Sequence, residues 1–315
     1  MTAIVAGLAG NACALDPAYP VKPLRVLVGF QPGGGSDLLA RLVAPKLTER
    51  LGQSVVVDNR SGAGGIIALE IAKEAPPDGY TLLVISGSLV TNASLFTKVN
   101  FDIAAALAPI TQLTSEPYIL LARAGFPAGS VQELIALAKA KPETITCGSS
   151  GTGSFAHLGI ELFNSMAAVR LAHVPYKGSG QALIDLLGGQ IDMTLASAIS
   201  AAPPLKTGKV RAIAVTTAQR SALFPDLPTI AEGGVPGYEV SSWYGLAAPR
   251  GTPNAIIQKL NAGLIQILAQ PEVKANLATS GAAPAPSTPQ ELATRIKAEI
   301  AKWRKVVAQA GIRLN

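Results

Sequence analysis

Three glycine-rich turns carry the residues that are best suited to hold a small anion. The turns span residues 33–37, 62–65 and 148–154, and each follows a predicted strand and precedes a predicted helix. Amides at the start of a helix are unpaired and lie at the positive end of the helix dipole, so they favour a negatively charged group. Glycine also lets a ligand oxygen approach the backbone closely. One such turn is equally well explained by tight packing, but three together predict an anion site.

Known enzyme signatures match these turns poorly. Leu38 occupies the place of the third glycine of the dinucleotide fingerprint, and no turn carries the lysine of a phosphate-binding loop. The third turn lacks the second glycine of the serine-hydrolase elbow, because Thr152 stands there. A hydrolase that uses Ser150 or Ser154 with His157 stays an alternative and predicts turnover of esters or amides. A nucleotide-dependent cytoplasmic enzyme is a second alternative, which predicts that nucleotide stabilises the chain.

The composition gives little support to metal, thiol or nucleic-acid chemistry. Cys13 and Cys147 are too few for a disulfide framework or a cysteine-rich zinc site, so we predict no metal and no cofactor. The net charge is +6, but Lys and Arg are scattered and aromatic residues make up only 5%, which argues against a nucleic-acid partner. Asp37 has the chemistry of a general base, but its place before an apolar helical run is more typical of an N-cap.

The turns belong to two series of alternating strands and helices. The length of 315 residues, 49% of them hydrophobic, favours two domains. In the first series, strands are predicted at 24–30, 54–58 and 81–85, and helices at 38–51 and 66–75. In the second, strands are predicted at 145–147, 170–176, 191–196 and 210–216, and helices at 130–140, 155–166 and 182–187. The spacing predicts a capping box between Ser130 and Glu133 and another between Thr288 and Glu291. Alternation of this kind predicts an α/β fold with a parallel sheet covered on both faces.

The amino-terminal segment has the composition of a secretory signal. Residues 1–15 carry no charge, residues 3–9 are apolar, and the small residues at 12–14 predict cleavage before Leu15. We therefore expect a signal peptide at 1–14 and a periplasmic protein, with a truncated start because a basic residue is missing. A frayed apolar tail and a lipid-anchored Cys13 are the alternatives. No later segment is apolar for long enough to span a membrane.

Four motifs together resemble the Bug proteins, the periplasmic solute-binding components of tripartite tricarboxylate transporters. They are the segments 30–37 (FQPGGGSD), 58–65 (DNRSGAGG), 148–154 (GSSGTGS) with His157, and 173–178 (HVPYKG). The resemblance continues through Trp243 and residues 251–253, so it covers nearly all of the chain after the signal.

The resemblance implies a two-lobed periplasmic binding fold with the ligand cleft between the lobes. It implies a first lobe at 15–121, a second lobe at 122–242 and a return to the first lobe at 243–315. Pro45, inside the first predicted helix, is a departure that would kink it. A monomer is expected to close on a small carboxylate, with no bond made or broken, and to deliver it to the membrane components of the transporter. Dicarboxylates, citrate-like acids, acidic amino acids and aromatic acids all stay open as ligands.

The resemblance also implies which residues bind the ligand, from both sides of the cleft. These candidates are Phe30, Gly34, Gly35, Ser36, Asp37, Ala63, Gly64, Ser86, Ser149, Ser150, Gly153, Ser154, His157 and Tyr176.

Overall fold

The computed structural model describes residues 19–95 and 102–310, and it is a two-lobed α/β fold. The predicted signal peptide at 1–14 and Cys13 lie outside these residues. Within the described ranges, no helix combines the length and the apolar character that crossing a lipid bilayer requires.

The first strand–helix series surrounds the first two glycine turns. In this series β1 lies between β2 and β3, and both pairs are parallel. Its elements are β1 (Leu24–Val28), α1 (Gly35–Leu51), β2 (Val55–Asn59), a 3-10 turn (Ala63–Gly65), α2 (Ile66–Glu74), β3 (Thr81–Ser86), α3 (Gly87–Leu95) and α4 (Ile103–Ala106). The helix α1 continues through Pro45, and it buries Leu39, Val43 and Leu47 on one face. The predicted kink therefore does not interrupt this helix.

The second series surrounds the third glycine turn. Here β5 lies between β6 and β7, again in parallel pairs. The elements between the two long strands described next are α5 (Val131–Ala140), β5 (Thr146–Ser149), α6 (Phe155–Ala167), β6 (Ala172–Pro175), α7 (Ser179–Leu187), β7 (Met193–Ser197), α8 (Ala198–Lys206) and β8 (Val210–Val215).

Two long strands, β4 (Leu107–Arg123) and β9 (Ser241–Pro249), join the series. The first part of β4, residues 107–117, pairs with β9, while residues 118–123 pair with β7 and β8. All of these pairs and the β3–β9 pair are antiparallel. The prediction of a parallel sheet is therefore wrong for its centre, where β4 and β9 run antiparallel to each other and to their neighbouring strands.

Thr216 connects the middle of β4 to the residue that precedes β9. Its hydroxyl accepts a hydrogen bond from the amide of Tyr118 at 2.9 Å and donates to the carbonyl of Val240 at 2.5 Å. Its own amide donates to the carbonyl of Tyr118 at 3.0 Å. Thr216, the residue that follows β8, thus fixes the position of Tyr118 in β4 relative to Val240, the residue that precedes β9. The lobe boundaries near Leu121 and Ser242 stay a prediction.

The carboxyl-terminal elements close the structure. They are α9 (Asn254–Ala269), α10 (Pro271–Thr279), the short β10 (Ala283–Pro284) and α11 (Pro289–Ala310). The predicted capping box is confirmed, because Glu291 accepts from the amide of Thr288 at 2.8 Å and Thr288 accepts from that of Glu291 at 3.2 Å. Trp303 of α11 packs against Phe155 at the start of α6, with 4.9 Å between ring centroids. The last helix therefore supports the element that follows the third glycine turn.

Candidate functional site

The two lobes touch each other through two loops beside the glycine turns. The amide of Gln31 donates to the carbonyl of Lys177 at a distance of 3.5 Å. A Cβ atom added to Gly180 would lie 2.7 Å from the carbonyl oxygen of Pro32, which no side chain tolerates. The loops thus fit together backbone against backbone, and the structure is a closed arrangement of the lobes.

A small buried compartment lies behind this contact. Its volume is about 20 Å³, which is room for about one water molecule. Its wall is formed by both lobes and is dominated by hydroxyl groups. The lining residues are Phe30, Gly34, Gly35, Ser36, Ser86, Ser88, Tyr118, Ser150, Ser179, Leu195, Ser197 and Tyr244.

Backbone amides at two helix starts are available beside this compartment. Within the described residues, the amides of Gly35 and Ser36 in α1 donate no hydrogen bond, and neither do those of Ser179 and Gly180 in α7. Unpaired amides in the first turn of a helix favour an anion. None of the lining residues is charged, so the compartment offers amide and hydroxyl donors without a cation.

Asp37 anchors the first turn from behind. Its buried carboxylate accepts from the amide of Gly33, from Nε of Arg41 and from Nδ2 of Asn59, each at 3.0 Å. Burial by itself would raise the pKa of Asp37, but the hydrogen bonds from Arg41, Gly33 and Asn59 outweigh it and lower the pKa. The side chain is therefore an ionised internal support, which shapes the turn around Gly34.

The second turn faces a larger and more open pocket of about 580 Å³. Ala63, Gly64 and Gly65 all have positive φ, and Asn92 donates to the carbonyl of Gly64 at 2.8 Å. The backbone of this turn is thus held from α3. The pocket is lined by Gln31, Gly62, Ala63, Gly64, Ile66, Gly151, Thr152, Pro175, Tyr176, Lys177 and Gln181.

The third turn is held by two stacked histidines. The rings of His157 and His173 stack with 4.0 Å between centroids. Nδ1 of His157 accepts from the amide of Gly153 at 2.9 Å, and Nε2 of His173 lies 2.6 Å from the hydroxyl of Ser149. Burial lowers the pKa of His157 to about 4, and burial together with His157 lowers that of His173 to about 3. Both rings are neutral at pH 7, and the bond that Nδ1 of His157 accepts requires this of the His157 ring.

The geometry also bears on the hydrolase alternative. The hydroxyl of Ser154 accepts from the backbone amide of His157 at 3.2 Å, as an N-cap of α6, and does not meet its imidazole. Ser149 does meet an imidazole, but its side chain is buried and it also bonds the backbone of Gly151. No serine of this turn is thus both exposed to a substrate and paired with a histidine base.

The predicted site residues fall into three groups. Those in the buried compartment are Phe30, Gly34, Gly35, Ser36, Ser86 and Ser150, and those in the open pocket are Ala63, Gly64 and Tyr176. The remaining five lie behind the turns and form hydrogen bonds within the protein, through the backbone amide in Gly153 and through the side chain in the others: Asp37, Ser149, Gly153, Ser154 and His157. Ligand contact by any of them stays a prediction.

Half of the compartment wall is absent from the predicted ligand-binding residues: Ser88, Tyr118, Ser179, Leu195, Ser197 and Tyr244. Of these, the sequence marks Tyr244, beside Trp243, as either a pocket residue or part of a core aromatic cluster. Ser179 could have been predicted, because residues 178–180 (GSG) follow strand β6 and begin α7, in the same strand-to-helix position as the other glycine turns. Ser88 could not be predicted from the sequence, because only the fold places it in this wall. Its hydroxyl accepts a hydrogen bond from the amide of Phe155 across the cleft at 3.0 Å.

Comparison with known proteins shows a single family over nearly the whole chain. The model of the tripartite tricarboxylate transporter family receptor matches residues 39–312. Protein BugT of Bordetella pertussis is 36% identical over 312 residues, which cover 98% of this chain and 95% of BugT.

Two solved structures from Rhodopseudomonas palustris are similar in both sequence and shape. One, described with adipate, is 39% identical with a TM-score of 0.90, and the match covers 93% of this chain and 99% of that one. The other, MatC with bound malate, is 35% identical with a TM-score of 0.86, and the match covers 92% of this chain and all of MatC. The expected two-lobed binding fold and the resemblance to the Bug proteins are therefore confirmed.

Proposed function

This chain belongs to the family of tripartite tricarboxylate transporter receptors, and from that premise we propose that it captures a small carboxylate as its lobes close and delivers it to the membrane components of such a transporter. The family and its solved structures are substrate-binding receptors, and the protein is not an enzyme. Its relatives include a protein described as periplasmic, which supports the proposal that this chain acts in the periplasm.

The observation that carries the proposal is the buried compartment with donors from both lobes. Gly35 and Ser36, whose amides are free, line one side, and Ser179, whose amide is also free, lines the other. Hydrogen bonds to a charged group contribute about 1.5 to 3 kcal/mol each. Three or four of them supply the roughly 8 kcal/mol of a micromolar complex. Only the closed form brings both sets to one carboxylate, so the ligand favours closure through its differential affinity.

The open pocket gives the rest of the ligand a place. It adjoins the compartment, because adjacent residues of the chain line the two spaces. Phe30 and Ser150 line the compartment, and the residues that follow them, Gln31 and Gly151, line the open pocket. Lys177 supplies a cation to its wall, and Ile66 and Tyr176 supply apolar surface. We infer that one carboxylate occupies the compartment, enlarged by reorientation of the serine side chains that line it while the lobes stay closed, and that the body and a second acidic group extend towards Lys177. The adipate and malate of the related structures fit this class.

The proposal is tested by identifying the ligand and then blocking its approach. Mass spectrometry of ligand released from the purified protein, followed by a thermal-denaturation panel of carboxylates, identifies the acid. At about 100 times its Kd the ligand should stabilise the fold by about 2.7 kcal/mol. Failure of every acid to stabilise the protein would overturn the proposal, and so would conversion of an ester or amide.

Gly34→Val provides the matching variant. The backbone of Gly34 is extended, so valine is allowed there, but the added Cβ lies 3.0 Å from the hydroxyl of Ser179 and shields the amides of α1. We expect calorimetric affinity to fall at least about tenfold, which is 1.4 kcal/mol, in a folded protein. Gly129→Val, on an exposed turn of the second series, is the control and should bind as the wild type does.

A further inference from the structure

Glu116 is a buried carboxyl group at the point where β4 changes lobes. It is 3% exposed and pairs in register with Ser242 of β9. Its Oε2 accepts from the amide of Ile199, in the first turn of α8, at 3.1 Å. Its Oε1 has no hydrogen-bond partner within the described residues. A buried carboxylate with an unsatisfied oxygen is costly, whereas a carboxylic acid can donate from that oxygen.

No cation faces this carboxyl group from the elements packed around it. Across residues 19–95 and 102–310, Glu116 takes part in no salt bridge. The groups that face it are the amide of Ile199 and hydroxyl of Ser197 from α8 and its cap, the hydroxyl of Ser242 and phenol of Tyr244 from β9, and the phenol of Tyr118 from β4.

Burial decides the protonation state of the Glu116 carboxyl group. Burial raises the pKa of Glu116 to about 8, although the amide of Ile199 and the nearby hydroxyls of Ser197 and Ser242 act in the opposite direction. The group is therefore a neutral acid at pH 7.

A chain of hydroxyls leads from this acid into the compartment. Tyr244 donates to Ser197 at 3.1 Å, Ser197 lies 3.1 Å from Ser200, and Ser200 lies 3.2 Å from Ser179. Ser179, Ser197 and Tyr244 all line the compartment. Glu116 thus lies behind the compartment wall, separated from the ligand carboxylate by one side chain. An ionised Glu116 would place a second negative charge close to that carboxylate.

We propose that Glu116 is a positioning residue of the compartment, which must carry its proton while an acid is bound, so that at alkaline pH, where free Glu116 is ionised, the ligand and one proton bind together. This inference rests on the proposed function. The proton lets Glu116 donate towards Ser197 or Ser242 and orients their hydroxyls. It also removes the repulsion that would otherwise oppose the ligand.

The test measures affinity and proton uptake between pH 6 and pH 9.5. Adipate and malate serve as probes, and calorimetry in two buffers of different ionisation enthalpy counts the protons taken up. The window isolates Glu116, because His157 and His173 titrate well below it and burial raises the pKa of Tyr118 and Tyr176 to about 12. We expect the wild-type affinity to fall by about tenfold across the window, with proton uptake near pH 8.

Glu116→Gln should abolish both effects, because the amide keeps the shape and cannot ionise. Glu239→Gln, at an exposed position, is the matched control and should retain the wild-type profile. Binding of a probe with equal affinity and no proton uptake at every pH would overturn the inference and leave the proposed function standing. If Glu116→Gln fails to fold, the number of protons that the wild type takes up on ligand binding still tests the inference. If neither the probes nor any acid of the panel binds, the proposed function itself fails.

Discussion

Gly180→Ala should weaken ligand binding while leaving each lobe intact. Gly180 is the second residue of α7, and its φ is not in the left-handed region, so alanine is compatible with the helix. Alanine is in fact about 1 kcal/mol better than glycine in a helix interior. The added Cβ, however, would lie 2.7 Å from the carbonyl oxygen of Pro32, and close to Gly33 and Gly34, in the opposite lobe. The clash exists only when the lobes are closed.

The expected magnitude follows from the atoms involved. The obstacle is backbone on both sides of the cleft, so no flexible side chain can move away and the loops must separate by several tenths of an ångström. Overpacking of this kind costs about 1 to 3 kcal/mol. Because the ligand needs the closed form, Kd should rise by about five-fold to a hundred-fold.

Calorimetry with the acid that stabilises the wild type most is the assay, together with urea denaturation of the unliganded protein. Gly188→Ala, at the other end of α7, is the control, since its added Cβ would meet its nearest neighbour at an ordinary 3.4 Å. We expect the control to bind as the wild type does, and neither variant to lose stability. Equal affinity of the two variants would refute the argument that the contact between residues 31–34 and 177–180 belongs to the ligand-bound state.

Two further predictions concern the supports of the turns. The fold should lose up to about 2 kcal/mol per imidazole between pH 7 and pH 5, because His157 and His173 stay neutral down to pKa values of about 4 and 3 while the unfolded chain takes up protons near pH 6.5. Glu116, which keeps its proton in the fold but loses it in the unfolded chain, acts in the opposite direction over the same pH range, so the measurement is the difference between the wild type and His173→Gln. Urea denaturation at both pH values should show that the variant lacks about 2 kcal/mol of the wild-type loss; an equal pH dependence of the two proteins would contradict the prediction. Asp37→Asn should lower the free energy of unfolding by about 2 kcal/mol and also weaken affinity, because the charge-assisted bond from Arg41 and the bond from Gly33 are weakened. Chemical denaturation and calorimetry check both effects, and Asp226→Asn, at an exposed position, is the control.

The strand–turn–helix units were predictable because each is specified locally. The apolar run before each turn, the glycines and the helical period that follows are all contiguous, so β1, β2, β3 and β5 lie within a few residues of their predicted bounds. The capping pattern at Ser130 was predictable for the same reason. Its hydroxyl accepts from the amide of Glu133 as expected, but Glu133 returns to the amide of Gly129 and not to that of Ser130.

The long central strands were not predictable in this way. β4 is buried on both faces along most of its length, so it lacks a period of two, and its internal Pro109 and Pro117 resemble strand breakers. Pairing with β9 and then with β7 and β8 decides its conformation, and those partners are far away in sequence. Helix α8 was missed for a related reason, since Pro203 and Pro204 lie inside it.

The candidate site also combines features that the local sequence specifies with features that depend on distant partners. Its glycine turns are local features, whereas the hydroxyl contacts that run from Tyr244 through Ser197 and Ser200 to Ser179 join elements that only the fold brings together. Glu116 has no marker in the sequence at all, because a glutamate in a polar stretch normally indicates an exposed position. Only the register of β4 against β9 buries it.

The position of Thr216 constrains how the molecule can open. Because its backbone and hydroxyl fasten Tyr118 and Val240 at one level, the two connecting strands cannot slide past each other without breaking three hydrogen bonds. Rotation about an axis through this point breaks none of them. The lobes should therefore swing apart as a hinge and not shear, with the largest displacement at the rim where Gln31 meets Lys177.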